Sequence, residues 1–274
     1  MNKSVIIILG MGRSGTSFVT NWLQKCGLNL GNILLEANYN NINGFFENKE
    51  IVELHNSILK KSAVEVTLED RITITERHLE LAEKIVSKNN DIFYQWGWKD
   101  PRTALFINSL WHPIVPNAKV LVVFRNYKYV VESIFKTERR TQMNRRNKVK
   151  GFFYFVLDKL HYNHFKRSNT YLEAWIRYNS DILEFLKKKK EDDYYVLNVE
   201  KLLWNSNTVF SNLTNNFRLS LSYYNPNSLY DSDLFTISTK SRIAFDPVLE
   251  ERAIKILDEL SKLCFKDIDY TQIS

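Results

Sequence analysis

The sequence is poor in the residues that mark several large classes of protein. It contains two cysteines, Cys26 and Cys264, whose spacing suits neither a metal site nor a disulfide framework. It contains five prolines, and no linker rich in proline or glycine divides the chain. No apolar run approaches the roughly 18 residues of a membrane span, and FFYFVL at residues 152–157 is far too short. These absences predict one domain over residues 1–274 with no integral membrane segment.

The amino-terminal residues also lack the features of a secretory signal. Their apolar run, VIIIL, is followed closely by Arg13, whereas signal peptides need an apolar stretch of roughly 7–15 residues. Two thiols without a pairing pattern are typical of proteins in a reducing compartment. We therefore expect a cytoplasmic protein.

Positive charge is what the sequence has in excess. The formal net charge is +7, while 44% apolar and 14% aromatic residues are typical of a globular chain. Such a charge suits an anionic partner, for example a nucleotide, a polyanionic acceptor, nucleic acid or a membrane surface. Because no helix-turn-helix, zinc-finger or RNA-recognition pattern is present, we expect no nucleic-acid partner.

Strand and helix patterns alternate along the chain. Short apolar runs at residues 4–9, 119–124 and 194–199 predict three buried strands. Parallel strands need helical crossovers, so the alternation predicts an α/β fold with a central parallel sheet that helices cover on both faces. The helical patterns are those of residues 17–27, 48–61, 100–111, 126–136, 170–190 and 246–263.

Capping residues predict where two of these helices begin. Asp100 followed by Pro101 is typical of an N-cap and the first helical position. Thr170 and Glu173 have the spacing of a capping box, which predicts a helix start at Thr170.

A glycine-rich segment, GMGRSGTS at residues 10–17, lies between the first strand and the helix that follows it. Gly10 and Gly15 match the outer glycines of a nucleotide-binding phosphate loop, but Thr16 stands where that loop has its lysine. The strand at residues 119–124 is followed by Arg125 instead of the aspartate that would hold Mg²⁺. The segment therefore predicts a phosphate site made of backbone N–H groups, hydroxyls and arginines, without a metal.

Four segments of this part of the chain resemble the motifs of one enzyme family. GMGRSGTS resembles the 5′-phosphosulfate loop of sulfotransferases that use 3′-phosphoadenosine 5′-phosphosulfate (PAPS). VFRNYKYVVES, with Arg125 and Ser133 eight residues apart, resembles their 3′-phosphate segment. WGWKDPRTALF is similar to the Lys-Asp-Pro segment of tyrosylprotein sulfotransferases and of many bacterial sulfotransferases. GFFENKEIVELHNSIL resembles the Gly-aromatic-Phe-Glu segment of the bacterial, carbohydrate-type members. The segments occur in the family's order within residues 10–133, and the match thins beyond residue 135.

The resemblance implies a P-loop kinase-like sulfotransferase fold and transfer of a sulfuryl group from PAPS to a hydroxyl acceptor. On family grounds the acceptor is a small molecule or glycan, with a saccharide or glycolipid favoured. The resemblance also implies that Arg125, Ser133 and Lys99 hold the donor together with the loop, and that no metal takes part. The loop residues concerned are Gly12, Arg13, Ser14, Gly15, Thr16 and Ser17.

Three residues are predicted to act in catalysis. Arg13 and Lys99 supply positive charge, with Lys99 as the candidate that stabilises the charge developing on the leaving oxygen. Glu47 is the candidate general base, because the apolar residues Phe45 and Phe46 beside it raise a carboxylate's pKa.

Each of these roles has an alternative. Glu36 and His55 are other candidates for the base, and Lys99 could be a solvated residue at a strand end. Asp100 and Arg102 could be a helix cap and a surface charge, or could steady Lys99; the cap is favoured for Asp100.

Other functions and several segments stay open. The alternative functions are a divergent P-loop nucleotide kinase or NTPase, which would bind ATP or GTP with Mg²⁺, and a basic polyanion-binding module. The cation-rich segment at residues 136–150 fits a solvated loop, or a lid or acceptor wall that contacts the cofactor's phosphates or an acidic glycan. STKSR at residues 238–242 could reach a 3′-phosphate. His161 and His164 lie in an aromatic run that fits core or acceptor site, and the sequence names neither the acceptor nor an oligomeric state.

Overall fold

A computed structural model describes residues 3–35, 44–59, 72–145, 161–230 and 243–264, with the backbone alone at 141–145 and 161–163. The strands in these ranges are β1 (Ser4–Leu9), β2 (Gln95–Lys99), β3 (Lys119–Phe124) and β4 (Tyr194–Asn198). The helices are α1 (Thr16–Lys25), α2 (Lys49–Ile58), α3 (Glu76–Ile92), α4 (Thr103–Phe106), α5 (His112–Ile114), α6 (Tyr127–Arg145), α7 (His161–Leu186), α8 (Val199–Trp204), α9 (Ser206–Phe217) and α10 (Pro247–Leu263).

The four strands form one parallel sheet in the order β2-β1-β3-β4. Ile8 of β1 is paired with Lys99 of β2 on one side and with Leu121 of β3 on the other, so the carboxyl ends of these strands lie along one edge. The sequence did not predict β2, whose five residues, QWGWK, include a glycine. Gly97 is required there, because a Cβ would lie 2.4 Å from the carbonyl oxygen of Ile6.

Helices cover both faces of the sheet, which confirms the predicted α/β fold. Each face carries its own cluster of buried apolar side chains, because successive residues of a strand point to opposite faces. Helices α1, α8 and α9 pack on the face formed by Ile6, Ile8, Leu121 and Val123. Helices α2, α3, α6, α7 and α10 contribute to the cluster on the face formed by Ile7, Leu9, Val120 and Val122.

Three tryptophan rings pack against one another beside β2. The centroid of Trp98 lies 5.4 Å from that of Trp96 and 4.7 Å from that of Trp111, and all three side chains are fully buried. Trp111 ends a π-helical turn, Ile107–Trp111, that joins α4 to α5. The indole N–H of Trp98 donates to Oγ1 of Thr103, the first residue of α4, at 3.3 Å, so the cluster is tied to this connection.

Both helix starts that were predicted from capping residues are wrong. Helix α4 begins at Thr103, because Asp100 and Pro101 form a turn in which the Thr103 N–H donates to the Asp100 carbonyl oxygen. Helix α7 begins at His161, before Thr170, whose hydroxyl donates to the Lys166 carbonyl oxygen one turn back inside the helix. A hydroxyl that bonds within its own helix does not cap it.

Candidate active site

The residues singled out in the sequence follow the carboxyl ends of neighbouring strands. The glycine-rich loop at residues 10–15 follows β1, Lys99 ends β2, and Arg125 follows β3. Because the strands are parallel and adjacent, these three positions meet at one edge of the sheet. Segments that are distant in sequence thus form one site.

The loop after β1 needs glycine at two positions for different reasons. A Cβ on Gly10 would lie 2.2 Å from the carbonyl oxygen of Val123 in β3, so the loop passes against the backbone of that strand. Gly15 precedes α1 with φ 88°, in the left-handed region that favours glycine. Arg13 also has a positive φ, 72°, which is uncommon for a residue with a side chain. In contrast, a Cβ on Gly12 would meet only Pro101, at 3.8 Å.

Hydroxyl side chains lie at the amino-terminal end of α1. Ser14 and Thr16 are buried, and the backbone N–H of Ser14 donates to the Met11 carbonyl oxygen at 3.2 Å. No side chain caps the helix at Gly15. The first N–H groups of a helix lack partners within it, so this end suits an anion.

Arg13 links the loop to helix α6. Its Nε donates to Oγ of Ser133 at 3.0 Å, which brings together two residues that the sequence assigned to different phosphate groups. Burial lowers the pKa of Arg13, and the nearby charges of Arg140 and Arg125 lower it further. Three arginines therefore share one region, and like charges at close range are stabilised by a bound anion.

Arg125 is buried at the end of β3. Its Nε lies 3.5 Å from Oε1 of Glu200 in the first turn of α8, and its guanidinium carbon lies 5.1 Å from the ring centroid of Tyr129. The indole N–H of Trp175 donates to the Arg125 carbonyl oxygen at 3.3 Å. The backbone and the side chain of this arginine are thus held by α6, α7 and α8.

Lys99 and Glu47 form an ion pair beside the loop. Nζ of Lys99 donates to Oε1 of Glu47 at 2.6 Å and to Oγ of Ser17 in α1 at 3.1 Å. Lys99 is 1% exposed, so it is a buried cation and not a solvated residue at a strand end. The predicted base and the predicted charge-stabilising lysine are therefore in direct contact, next to the loop.

The backbone around Glu47 is fixed by two neighbouring segments. Its carbonyl oxygen accepts from the Leu35 N–H at 2.8 Å, and the Lys49 N–H donates to the Ile33 carbonyl oxygen at 2.9 Å. Asn48 caps α2, because its Oδ1 accepts from the N–H groups of Glu50 and Ile51. The carboxylate is thus held at the start of a helix and points to Lys99.

Two opposing effects set the pKa of Glu47. Burial raises it, as the sequence predicted for a carboxylate beside Phe45 and Phe46, and the positive charge of Lys99 opposes the increase. The net pKa lies above the ordinary value for glutamate. A carboxylate with a raised pKa that still has a cation beside it suits proton transfer near neutral pH.

His55, the alternative base on α2, lies in a buried network. Its Nδ1 is 2.8 Å from Oδ2 of Asp100, and its Nε2 accepts from the indole N–H of Trp111 at 2.9 Å. Since an indole N–H can only donate, the Nδ1 of His55 carries the proton and donates to Asp100. His55 is fully buried, and burial lowers its pKa. Because both ring nitrogens bond to groups inside the protein, neither can take a proton from a substrate hydroxyl, and the imidazole has a structural role.

Asp100 connects that network to Arg102. Its Oδ1 accepts from the backbone N–H and Nε of Arg102, and its Oδ2 accepts from Nη2 of Arg102 at 2.6 Å. Burial raises the pKa of Asp100, but its bonds from His55 and Arg102 outweigh burial and hold that pKa well below its usual range. Asp100 thus fixes the turn that follows Lys99, and Arg102 is its partner and not a free surface charge.

Two residues of the site were not predicted from the sequence. Arg140 lies on α6, seven residues after Ser133, and Glu200 lies on α8 opposite Arg125. The helical pattern in the sequence ends near residue 136, whereas α6 continues to Arg145 and so carries Arg140 on the face of Ser133. Of the segment at residues 136–150, the part up to Arg145 belongs to α6.

Some of the predicted residues lie outside the described ranges. These are Glu36, residues 146–150 of the cation-rich segment, and the basic segment at residues 238–242. Within the described ranges, no cluster of three or more His, Cys, Asp or Glu residues could ligate a metal ion. The helices described also include none with the length and apolarity required to cross a bilayer.

Two solved structures resemble this chain over nearly its whole length. A sulfotransferase domain from the curacin biosynthetic pathway superposes with a TM-score of 0.50 at 17% identity, covering 94% of this chain and 98% of that domain. A sulfotransferase domain from the Synechococcus PCC 7002 olefin synthase gives a TM-score of 0.53 at 14% identity and covers 95% of each chain. No protein-family model matches the sequence, and no curated protein matches it. The three-dimensional similarity, together with the parallel sheet and its covering helices, shows that this chain has the fold of sulfotransferase domains.

Proposed function

We propose that this protein is a PAPS-dependent sulfotransferase that transfers a sulfuryl group to a hydroxyl acceptor. One observation carries the proposal: the buried pair of Lys99 and Glu47, joined at 2.6 Å, lies against Ser17 at the start of α1. A proton acceptor, a cation and an anion-binding loop are the groups that sulfuryl transfer needs in one place. The sequence assigned these roles from segments that lie far apart along the chain.

The residues beside the loop fit the donor's two anionic groups. Arg13 and Arg125 are both largely buried, and each lies near other positive or hydroxyl groups at this edge. Arginine binds phosphate through several N–H donors at once, which suits it to such a ligand. We assign the 5′-phosphosulfate to the loop and to Arg13, and the 3′-phosphate to Arg125 and Ser133.

The catalytic roles follow from the chemistry of the bound donor. When bound, PAPS supplies the sulfuryl group: the acceptor oxygen bonds to sulfur, the bond from sulfur to the bridging oxygen breaks, and 3′-phosphoadenosine 5′-phosphate (PAP) leaves. Glu47 accepts the proton of the acceptor hydroxyl. The ammonium of Lys99 and the guanidinium of Arg13 stabilise the negative charge that the leaving group acquires.

We propose a saccharide or glycolipid as the acceptor, on the resemblance of residues 44–59 to bacterial carbohydrate-type sulfotransferases. The titles of the two similar structures name a biosynthetic pathway and a synthase, and neither title names a saccharide. We also propose a cytoplasmic location, on the composition described above.

Calorimetric titration with PAP tests the donor site. We expect micromolar or tighter binding that does not depend on Mg²⁺ and that weakens strongly for AMP, which lacks the 3′-phosphate. Arg125→Ala should remove most of the difference between PAP and AMP, because that arginine is assigned to the 3′-phosphate. Tighter, Mg²⁺-dependent binding of ATP would overturn the proposal in favour of a nucleotide kinase or NTPase.

Transfer itself is tested with PAPS and a panel of hydroxyl acceptors, read out as PAP release and as an acceptor mass increase. Saccharides and glycolipids should be sulfated in preference to tyrosine peptides. Sulfation of tyrosine peptides alone would overturn the acceptor class and leave the donor assignment intact. Tight binding to nucleic acid with a steep salt dependence, and none to PAP, would favour a polyanion-binding module.

A further inference from the structure

Glu200 faces the arginine that we assign to the donor's 3′-phosphate. It lies in the first turn of α8, directly after β4, and Oδ1 of Asn198 accepts from its backbone N–H at 2.9 Å, which fixes the start of this helix. Oε1 of Glu200 lies 3.5 Å from Nε of Arg125. The side chain of Arg125 is 3% exposed and that of Glu200 is 23% exposed, so both members of the pair are largely removed from water.

A buried arginine without an anion nearby is unfavourable. Removal of a guanidinium from water carries a large free-energy penalty that only an opposite charge offsets. Glu200 supplies this charge when no phosphate is bound. A dianionic phosphate on Arg125 would lie close to the same carboxylate, and the two anions repel each other.

We propose that Glu200 is a resident counter-ion of Arg125, which a 3′-phosphate displaces, so that Glu200 limits the affinity for 3′-phosphorylated nucleotides and makes it depend on pH. This inference rests on the proposed function, because it assumes that Arg125 binds a phosphate. Glu200 acts through Arg125 and is therefore a positioning residue and not a catalytic one.

The charges around the pair determine the direction of the effect. Arg125 faces Glu200 from the end of β3, while Tyr129 and Glu132 face Arg125 from α6 and Arg13 faces it from the loop. Burial raises the pKa of Glu200, and the charge of Arg125 opposes this increase. When a phosphate binds Arg125, the charge of the arginine no longer lowers the pKa of Glu200, and the phosphate adds a second negative charge beside the carboxylate. Both changes favour the protonated form, so binding should be accompanied by proton uptake at Glu200.

The test compares PAP and AMP binding in the wild type and in Glu200→Gln. Glutamine keeps an oxygen that can accept from Nε of Arg125 but carries no charge. We expect PAP to bind about fivefold more tightly to Glu200→Gln, the effect of one partly exposed charge pair. AMP affinity should not change, since AMP has no 3′-phosphate.

Proton uptake is measured by calorimetry at pH 7.5 in two buffers with different ionisation enthalpies. At that pH a phosphate monoester, with a second pKa of about 6, is nearly all dianion, so uptake reports on the protein. The wild type should take up more protons on PAP binding than Glu200→Gln does. Glu132→Gln is the matched control, because Glu132 also faces Arg125 but is paired with Lys136, and it should change PAP affinity less than about twofold.

The outcomes separate this inference from the proposed function. Equal affinity of the wild type for PAP and AMP would overturn the donor assignment itself. If the wild type prefers PAP but Glu200→Gln binds PAP no more tightly, or if both take up protons equally, the donor assignment stands and the role of Glu200 is refuted. Circular dichroism of Glu200→Gln, which should match the wild type, shows that the variant is folded.

Discussion

Glu47 and Lys99 each depend on the other's charge. Burial favours the protonated form of Glu47, and the ammonium of Lys99 at 2.6 Å favours the carboxylate. Removal of one partner would leave a buried charge uncompensated, which costs about 3–5 kcal/mol. A test of the base should therefore keep the hydrogen bond and change only the ability to accept a proton.

Glu47→Gln meets that requirement. We expect kcat to fall by about 10²–10⁴, the usual contribution of a general base, with little change in PAP affinity. In the wild type, kcat should rise with pH through the pKa of Glu47, which burial places above its ordinary value of 4.5, because only the carboxylate accepts a proton. The measurement is kcat from pH 5 to 9 in both proteins.

Glu50→Gln is the control for this experiment, since Glu50 lies in the first turn of α2, three residues after Glu47, and is paired with Lys88. It should retain the wild-type pH profile. If Glu47→Gln kept the wild-type kcat and the same decrease of kcat at low pH, another group would be the base.

Arg140 should contribute to donor binding although the sequence did not single it out. Its charge acts on Arg13, and it lies two helical turns beyond Ser133 on the same face of α6. We expect Arg140→Ala to weaken PAP binding by about threefold to tenfold, as loss of one charged contact to a phosphate does. Arg139→Ala removes the same charge from the neighbouring position, about 100° around the helix from Arg140, and should have a smaller effect. Equal effects of the two substitutions would show that Arg140 acts only through the net charge of the protein.

The sequence indicated the residues whose type is unusual for their place. Thr16 stands where a nucleoside-triphosphate loop has its lysine, and Arg125 stands where such proteins have a Mg²⁺-binding aspartate. These two differences predicted a phosphate site without a metal. Lys99 and Glu47 came from the family resemblance, and the spatial contact between them could not be read from the chain. Glu200 was not found, because its only signal is its place after β4, and neighbouring strands cannot be identified before the sheet order is known.

The glycine loop depends on its packing against β3. Gly10 lies so close to the Val123 carbonyl oxygen that a Cβ at this position would clash at 2.2 Å. A backbone oxygen cannot move away as the tip of a side chain can, so the loop or the strand must shift. The anion site and the sheet are therefore coupled at this contact.

Gly10→Ala should destabilise the protein by about 1–3 kcal/mol, as overpacking of a tight site does. Gly12→Ala is its counterpart in the same loop, because the added Cβ would make only ordinary contact with Pro101, and its stability should be within about 0.5 kcal/mol of the wild type. Urea denaturation of the three proteins measures the difference. Similar stabilities of the two variants would show that the loop can rearrange to accommodate a Cβ at Gly10.

Elements were predicted best where their pattern is continuous. Strands β1, β3 and β4 are short continuous runs rich in apolar, β-branched and aromatic residues, and α2 and α10 have regular apolar spacing, so both kinds of element were predicted. Strand β2 was missed because its five residues include only two large apolar side chains, Trp96 and Trp98, and because the glycine between them is uncommon inside a strand. The predicted helix start at Asp100 failed because a turn over Asp100 and Pro101 precedes α4. The start at Thr170 failed because its hydroxyl bonds inside a helix that begins earlier.

The fold brings four distant segments to one edge of the sheet. A fully buried hydrogen-bond network lies next to that edge. His55 on α2, Asp100 after β2 and Trp111 before α5 form this network. It couples three elements that are separate in sequence. The predicted single domain over residues 1–274 stays a prediction, but this coupling makes the stability of the site depend on packing elsewhere.

His55→Gln should reduce stability at pH 7.5 by about 1–3 kcal/mol, because it disturbs buried hydrogen bonds. The pKa of His55 lies below its ordinary value of 6.5 in the folded protein, so below pH 6.5 the unfolded chain binds more protons than the folded one. The stabilisation that His55 provides is therefore complete above pH 6.5 and is lost as the pH falls.

The free energy of unfolding of the wild type and of His55→Gln, measured between pH 5 and 8, tests this expectation. The difference between the two proteins should shrink below pH 6.5. A constant difference across the range would mean that His55 is not the group that titrates.

The packed tryptophans give the protein optical properties of its own. Five of its six tryptophans are fully buried, three of them in contact beside the strand that ends in Lys99, and the sixth, Trp204, is 72% exposed. Rings held at fixed angles a few ångströms apart couple electronically, so a strong near-ultraviolet dichroism signal should report on the packing behind Lys99. Trp204 should supply the red-shifted, quencher-accessible part of the fluorescence, and Trp204→Phe would leave an emission that arises only from the interior.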